Sequence, residues 1–161
     1  MASYIIREIK KEDDRDVEDI IRNCLIEVGG AKPGMAWEDD LSSFSTLYGN
    51  KPGYHYWVAE DENGSIVGGA GIAPLRDAEG VCELQRMYFS PLARGTGVAH
   101  KMLETVLTYA REFYDQCYLE TIESMVAAQK MYTHYGFRKI DKPLGNTGHY
   151  SCNLFFVKDL K

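Results

Sequence analysis

The chain has 161 residues, of which 45% are hydrophobic and 26% are charged, and its formal net charge at pH 7 is −6. A chain of this length and composition can bury a full core without disulfides or metals, so we expect a single domain over residues 1–161. The acidic balance and the lack of a long basic run argue against nucleic acid as the main partner. No segment approaches the ~20 uninterrupted apolar residues of a membrane span.

The first residues lack the long apolar run of a signal peptide. The four cysteines are scattered and form no Cys-x-x-Cys pair: Cys24, Cys82, Cys117 and Cys152. This spacing argues against a zinc site or a disulfide framework and favours reduced thiols. We therefore expect a cytoplasmic protein with no metal and no membrane partner.

Two helices are predicted in the first third of the chain, after a short strand-like segment at residues 4–9. Asp13 or Asp14 offers an N-cap for the first helix, which Gly29-Gly30 ends. The apolar residues of this helix recur at a 3–4 spacing: Val17, Ile20, Ile21, Cys24, Leu25 and Val28. A second, less regular helix is expected to carry on one side Trp37, Leu41, Phe44 and Tyr48.

Three strands are predicted next, at residues 54–60, 65–75 and 83–89. The sequence Asp61-Glu-Asn-Gly64 is a strong hairpin turn between the first two, and residues 77–80 turn again before the third. Glycines at 68, 69 and 71 make the second of these strands thin. Because glycine has no side chain, these positions allow a neighbouring segment to approach closely, or allow a bulge.

Helices and strands alternate in the last third. The residues expected to face the core from the helix after residue 97 are Val98, Met102, Leu103, Val106, Leu107, Ala110 and Phe113. A strand at 116–122, a helix at 126–135 and strands at 137–140 and 149–157 follow. The order β-α-α-β-β-β-α-β-α-β-β predicts an α/β (α+β) fold, with a mixed, mostly antiparallel sheet of six to seven strands flanked by about four helices.

Residues 94–99 form a glycine-containing turn that leads into the third helix. The first N–H groups of a helix have no acceptor within it, and the helix dipole makes this end positive, so the turn suits a phosphate. Glycine at 95 and 97 lets the backbone approach a bulky anion. The turn is not a P-loop, because no Gly-Lys-Ser/Thr follows, and it lacks the third glycine of a dinucleotide fingerprint.

Motifs on both sides of this turn resemble those of a known family. They are Glu83-Leu-Gln-Arg-Met-Tyr-Phe before it, Arg94-Gly-x-Gly-x-Ala99 within it, and Leu119-Glu-Thr121 and Ala128-x-x-x-Tyr132-x-x-x-Gly136-Phe137 after it. In this order they resemble the GNAT superfamily of acetyl-CoA-dependent N-acetyltransferases, over about residues 55 to 140. The resemblance implies splayed central strands and an enzyme that acetylates a primary amine of a small molecule or amino acid.

The resemblance also implies a position for acetyl-CoA, the expected co-substrate. Its pantetheine arm is expected to lie between the splayed strands and to bind the backbone of Met87, Tyr88 and Phe89 as an added strand would. The residues assigned to its pyrophosphate are Arg94, Gly95, Thr96, Gly97, Val98 and Ala99. Met125 occupies a position where many members have Asn, which indicates a subgroup with its own contacts.

Glu83 occupies the position where many family members place the general base. Because an ordinary Glu is a weak base, Glu83 would need a raised pKa or a water relay. The other reading is a strand carboxylate paired with Arg86 or a lysine, and Glu120 is the second candidate base. Tyr132 matches the family's general acid, which protonates the departing thiolate, although a plain core aromatic would also fit this position.

Acceptor residues are the least determined by the sequence. The expected aromatic lining of an acceptor cleft comprises Trp37, Tyr54, Tyr56 and His149, each of which could equally be core or surface filling. Edge strands and apolar surface are compatible with a homodimer. Two other functions remain open: a catalytically silent CoA-binding regulatory module, and an enzyme that acetylates a peptide N-terminus or a lysine side chain.

Overall fold

The structure is a computed structural model that describes residues 3–27, 41–49, 51–147 and 153–161. Its strands are β1 (Ile5–Glu8), β2 (His55–Glu60), β3 (Ile66–Pro74), β4 (Val81–Phe89), β5 (Gln116–Thr121), β6 (Arg138–Ile140) and β7 (Leu154–Asp159). Its helices are α1 (Asp14–Glu27), α2 (Phe44–Leu47), α3 (Val98–Ala110) and α4 (Val126–His134), and short 3-10 helices are formed by Lys11–Asp13 and Pro91–Ala93.

The seven strands form one sheet in the order β1-β2-β3-β4-β5-β7-β6. Each pair of neighbours is antiparallel except β4 and β5, which are parallel. The sheet has a hydrophobic core on each face, and alternating residues of β2 point to one or the other. Tyr56 and Val58 pack with α1 and α2 on one face. Trp57 and Ala59 pack with α3 and α4 on the other face. The predicted fold class and the predicted order of elements are confirmed.

Some element boundaries and side-chain positions differ from the predictions. The described part of the second helix is only the single turn of α2, and β7 begins at Leu154 rather than at 149. Phe113 was expected in the core but is 42% exposed, because α3 ends at Ala110. Among the described residues, no helix has the length and hydrophobicity of a membrane span.

β4 and β5 separate soon after they begin. Their paired residues are Val81 with Gln116, Cys82 with Cys117, and Glu83 with Tyr118. In the described chain, no residue of β4 after Glu83 pairs with a residue of β5, although β4 continues to Phe89 and β5 to Thr121. The two strands therefore diverge beyond Glu83, as the splayed strands of the resemblance imply.

A bulge in β4 lies beside this opening. Between the pairs Gly69–Tyr88 and Gly71–Gln85, the single residue Ala70 opposes two residues of β4. One of these, Arg86, has a left-handed backbone with φ of 51°. The Tyr56 hydroxyl donates a hydrogen bond of 2.9 Å to the Arg86 carbonyl oxygen. The buried Tyr56 side chain therefore stabilises the bulge.

The glycines of β3 make room for the ring of Tyr56. A Cβ built on Gly69 would lie 2.6 Å from the Tyr56 ring and 2.8 Å from the Trp57 carbonyl oxygen, and a Cβ on Gly71 would lie 2.6 Å from the same ring. Tyr48 packs next to Tyr56, with ring centroids 5.3 Å apart. The predicted close approach to β3 is thus made by aromatic side chains.

We expect Gly69→Ala to lower the free energy of unfolding by about 2–3 kcal/mol, because neither the Trp57 backbone nor the enclosed Tyr56 ring can move away easily. Gly64→Ala is the control, since Gly64 has φ of 80° but no atom within 4 Å of an added Cβ. Its left-handed backbone predicts a loss of about 1 kcal/mol. Urea denaturation measures the free energy of unfolding of both variants. Equal losses in Gly69→Ala and Gly64→Ala would mean that the Tyr56 ring does not require a glycine at position 69.

Candidate active site

A cavity of about 610 Å³ lies between the end of β4, the start of α3 and helix α4. This volume is in the range of small-molecule and cofactor sites. Its lining residues are Cys24, Glu27, Met87, Tyr88, Phe89, Ala93, Arg94, Gly95, Gly97, Ala99, His100, Ser124, Met125, Val126, Ala127, Ala128, Met131 and Tyr132. The cavity therefore connects most of the residues predicted for the cofactor with the predicted general acid.

The glycine turn forms one end of this cavity. Gly95 and Gly97 have φ of 75° and 87°, a left-handed backbone that favours glycine. A Cβ built on either residue would have no atom within 4 Å, so the space above the turn is open. Because α3 begins at Val98, the first N–H groups of the helix lie beside this space. Open space, close backbone and a helix N-terminus together suit a phosphate group.

Tyr132 lies on α4 beside the gap between β4 and β5. Its side chain is buried in the core cluster on the α3 and α4 face, and it also lines the cavity. Burial raises the pKa of the Tyr132 hydroxyl, and the proximity of Tyr88 on β4 and Cys117 on β5 raises it further. The phenol therefore keeps its proton at neutral pH, as a general acid must.

Glu83 lies where β4 and β5 separate, in the last of their residue pairs. The residue is only 4% exposed, and one carboxyl oxygen accepts a hydrogen bond of 2.8 Å from the Gln85 amide. The Tyr48 hydroxyl in turn donates to the Gln85 side-chain oxygen at 2.5 Å. Burial is the main cause that raises the pKa of Glu83 to about 7. A carboxyl group that titrates near neutrality can accept a proton from an amine.

The sequence model of the Acetyltransferase (GNAT) family matches residues 15–137. The Escherichia coli (strain K12) protein named Uncharacterized N-acetyltransferase YjgM is 40% identical over 162 residues, which cover 98% of this chain and 96% of that protein. An acetyltransferase of GNAT family from Staphylococcus aureus Mu50 superposes with a TM-score of 0.85 at 25% identity, over 99% of this chain and 100% of that one. The Salmonella typhimurium protein yncA, solved with its cofactor acetyl-CoA, shares the fold with a TM-score of 0.72 at 19% identity, over 99% and 95% of the two chains.

The chain belongs to the GNAT acetyltransferase family. The predicted family and the predicted class of enzyme, an acyltransferase, are therefore confirmed. For a GNAT protein, the cavity described above is the candidate active site, because it extends from the open glycine turn past the end of β4 to Tyr132. Glu83 lies in that gap but does not line the cavity in the described part of the chain.

Arg94 lines the cavity and also contacts other parts of the protein. Its guanidinium makes a two-pronged ion pair with Glu27, with Nη–Oε distances of 2.6 and 2.9 Å, and donates to the Phe89 carbonyl oxygen at 3.2 Å. Glu27 is the last residue of α1, so this ion pair ties the first helix to the glycine turn and to the end of β4. Arg94 thus links three segments that border the cavity.

The four predicted acceptor residues have different positions. Tyr56 is 1% exposed and supports the β4 bulge, so it is part of the core and does not line an open cleft. Tyr54 is half-buried and lies under the Lys51 ammonium, which is 5.2 Å from the ring centroid. Trp37 and His149 lie outside the described residues.

Two amide side chains of the site were missed by the sequence analysis. Gln85 holds Glu83, and the only signal for it was its position two residues later on the same face of β4. Gln129 donates to the carbonyl oxygens of Ile122 and Glu123 at 3.3 and 3.0 Å. It therefore fixes the loop before α4, in which Met125 is the N-cap residue of the helix.

We expect Glu83→Gln to make the protein more stable than wild type at pH 8 by about 2–3 kcal/mol, and much less so at pH 4.5. The pKa of Glu83 is raised from 4.5 to about 7 by folding, so the carboxyl stabilises the folded state below pH 4.5 and loses this contribution as the pH rises through 7. Denaturant unfolding across this pH range measures the difference. The exposed Glu123→Gln is the control, and a pH-independent difference for Glu83→Gln would contradict the prediction.

Proposed function

We propose that the protein transfers the acetyl group of acetyl-CoA to a primary amine of a small molecule or amino acid. The observation that carries this proposal is the continuity of one cavity from the open turn at Gly95 and Gly97 to the Tyr132 side chain. This shape fits a ligand with a phosphate at one end and a reacting group at the other. The acetyl-CoA in the yncA structure, which has the same fold, supports the choice of ligand.

The residues present fit acetyl-CoA along its length. The turn from Arg94 to Ala99 would hold the pyrophosphate through backbone N–H groups, with glycines that leave the anion room. The backbone of residues 87–89, which lies beyond the last residue pair of β4 with β5, would hold the pantetheine arm as an added strand. Acetyl-CoA supplies the acetyl group as a thioester, which is activated for attack by an amine.

Two side chains would move the protons of the reaction. Glu83, as its carboxylate, takes a proton from the ammonium form of the acceptor, and the neutral amine then attacks the thioester carbonyl carbon directly. A carbon–nitrogen bond forms and the carbon–sulfur bond breaks. Tyr132 donates its phenolic proton to the departing sulfur and recovers a proton from the acylated nitrogen, which becomes the neutral amide, while Glu83 releases the proton that it took to solvent. No covalent enzyme intermediate is required, so the buried Cys82 and Cys117 have no role in this scheme.

A panel of primary amines tests the proposal, with thiol release from acetyl-CoA as the readout. We expect turnover with at least one small amine or amino acid and none without an acceptor. Binding of CoA with no turnover on small amines, peptides or lysine side chains would overturn the catalytic proposal in favour of a regulatory module. Turnover on peptides alone would replace the proposed acceptor class.

We expect Tyr132→Phe to lower kcat by about 100-fold, because it removes the proton donor for the leaving thiolate, and to change the Kd for CoA by less than about threefold. Tyr135→Phe is a matched control on the next turn, where the hydroxyl donates instead to Glu104 at the surface, at 3.0 Å. Steady-state kinetics and calorimetry provide the two readouts. Unchanged kcat in Tyr132→Phe would remove this residue from the mechanism.

Gly97→Ala should weaken CoA binding by about tenfold or more, since the added methyl group would occupy the open space above the turn. Gly64→Ala places the same change on a backbone of similar φ, 80° against 87°, in a surface hairpin turn. Both variants should therefore lose similar stability, while only Gly97→Ala loses affinity in calorimetry with CoA. Equal affinities would place the pyrophosphate elsewhere.

A further inference from the structure

Glu120 lies on the same face of the sheet as Glu83, across the gap between β4 and β5. Glu83 pairs with Tyr118 in the parallel register, and Glu120 is two residues further along β5. Side chains two residues apart on a strand share a face, so the two carboxyl groups project to the same side of the opening. Glu120 has no role in the mechanism proposed above.

Two hydroxyl groups hold the Glu120 carboxyl in place. Tyr118 donates to Oε2 at 2.7 Å, and Thr147 donates to Oε1 at 2.6 Å. Since both oxygens accept a hydrogen bond, the arrangement suits the ionised carboxylate, which is an acceptor only. A negative charge is thus fixed at this position from two sides.

Thr147 belongs to the segment between β6 and β7, which is anchored independently of Glu120. The Asn146 N–H donates to the Arg76 carbonyl oxygen at 2.8 Å, and the Arg76 guanidinium donates to the Asn146 carbonyl oxygen at 3.2 Å. Leu144 packs against the core cluster that contains Tyr118. The hydroxyl that reaches Glu120 is therefore positioned by the rest of the fold.

Two charges of the described residues that act on Glu83 are the acidic Glu120 and the basic Arg76. Burial, the Gln85 hydrogen bond, the Glu120 charge and the Arg76 charge act on the pKa of Glu83, in that order of size. Burial and Glu120 raise it, whereas Gln85 and Arg76 lower it. In the described part of the chain, other titratable groups that interact with Glu83 are Tyr48, which follows α2, and Cys117 and Tyr118 of β5.

We propose that Glu120 is a positioning residue of the acetyl transfer, fixed by Tyr118 and Thr147 as the negative charge that makes Glu83 a strong enough base to deprotonate an ammonium acceptor. The proton passes from the acceptor nitrogen to the Glu83 carboxylate, which becomes a carboxylic acid, and Glu120 takes no proton from the acceptor. This inference rests on the proposed role of Glu83 as the base. It makes Glu120 a partner of that base rather than an alternative to it.

Glu120→Gln tests the inference, with Glu123→Gln as a matched control that removes the same charge from an exposed position three residues later. The titration of the Glu83 carboxyl is followed by carbon-13 NMR of the glutamate-labelled protein without substrates, and its signal is assigned with Glu83→Gln. In wild type and in Glu123→Gln we expect a midpoint near pH 7. In Glu120→Gln we expect the midpoint to fall by about one pH unit.

Kinetics provide the second readout. The rising limb of kcat/KM against pH should shift to lower pH in Glu120→Gln by the same amount, and kcat at high pH should fall about three- to tenfold because a weaker base remains. Thr147→Val keeps the charge but removes one hydroxyl donor, so its midpoint should lie between those of wild type and Glu120→Gln. If Glu120→Gln does not fold, the Thr147→Val midpoint decides the question.

The outcomes separate this inference from the proposed function. An NMR midpoint in Glu120→Gln equal to that of wild type, or equally lowered in Glu123→Gln, overturns the role of Glu120 alone. An unshifted midpoint in Thr147→Val overturns the role of the hydroxyl groups. Full turnover by Glu83→Gln overturns Glu83 as the base and, with it, the catalytic role of Glu120, even if the two carboxyl groups influence each other.

Discussion

The separation of β4 and β5 after Glu83 is the constraint on which the site depends. In the described chain, β4 and β5 are joined by three residue pairs, and beyond these the two strands do not pair with each other. Buried backbone groups need partners, so an opening of this kind is stable only if a ligand, water or neighbouring segments supply them. Glu83 lies where the two strands separate, and the cavity is lined by the end of β4 and by residues that follow β5.

Aromatic packing on one face of the sheet maintains the shape of the gap. The Tyr56 ring lies against the glycines of β3 and its hydroxyl fixes the left-handed Arg86, which is the strained point of the bulge. Such strain persists only where the surrounding structure determines it. The same aromatic group includes Tyr48, whose hydroxyl holds Gln85 and, through it, Glu83. The same aromatic residues thus pack the core and hold the candidate base in position.

Much of this arrangement is local in sequence and could be predicted. The hairpin turn at 61–64, the glycine turn and the order of elements follow from short-range signals, and the motif resemblance named Glu83 and Tyr132. The single turn of α2, the exposed Phe113 and the core position of Tyr56 depend on tertiary packing, which periodicity does not report. Gln85, Gln129 and Thr147 act through contacts with residues that neighbouring strands and loops bring close.

The ion pair between Arg94 and Glu27 determines how the electrostatics of the glycine turn respond to ionic strength. Both side chains are nearly half exposed, at 46% and 45%, so dissolved salt weakens their attraction. Salt also weakens the attraction between a guanidinium and a phosphate. Because Glu27 already neutralises Arg94, these two effects oppose each other, and the affinity for a diphosphate should vary less with salt than it would beside an unpaired arginine. Glu27 thus acts as a counter-ion that the protein itself supplies, and it reduces the effect of dissolved salt on the charge of Arg94.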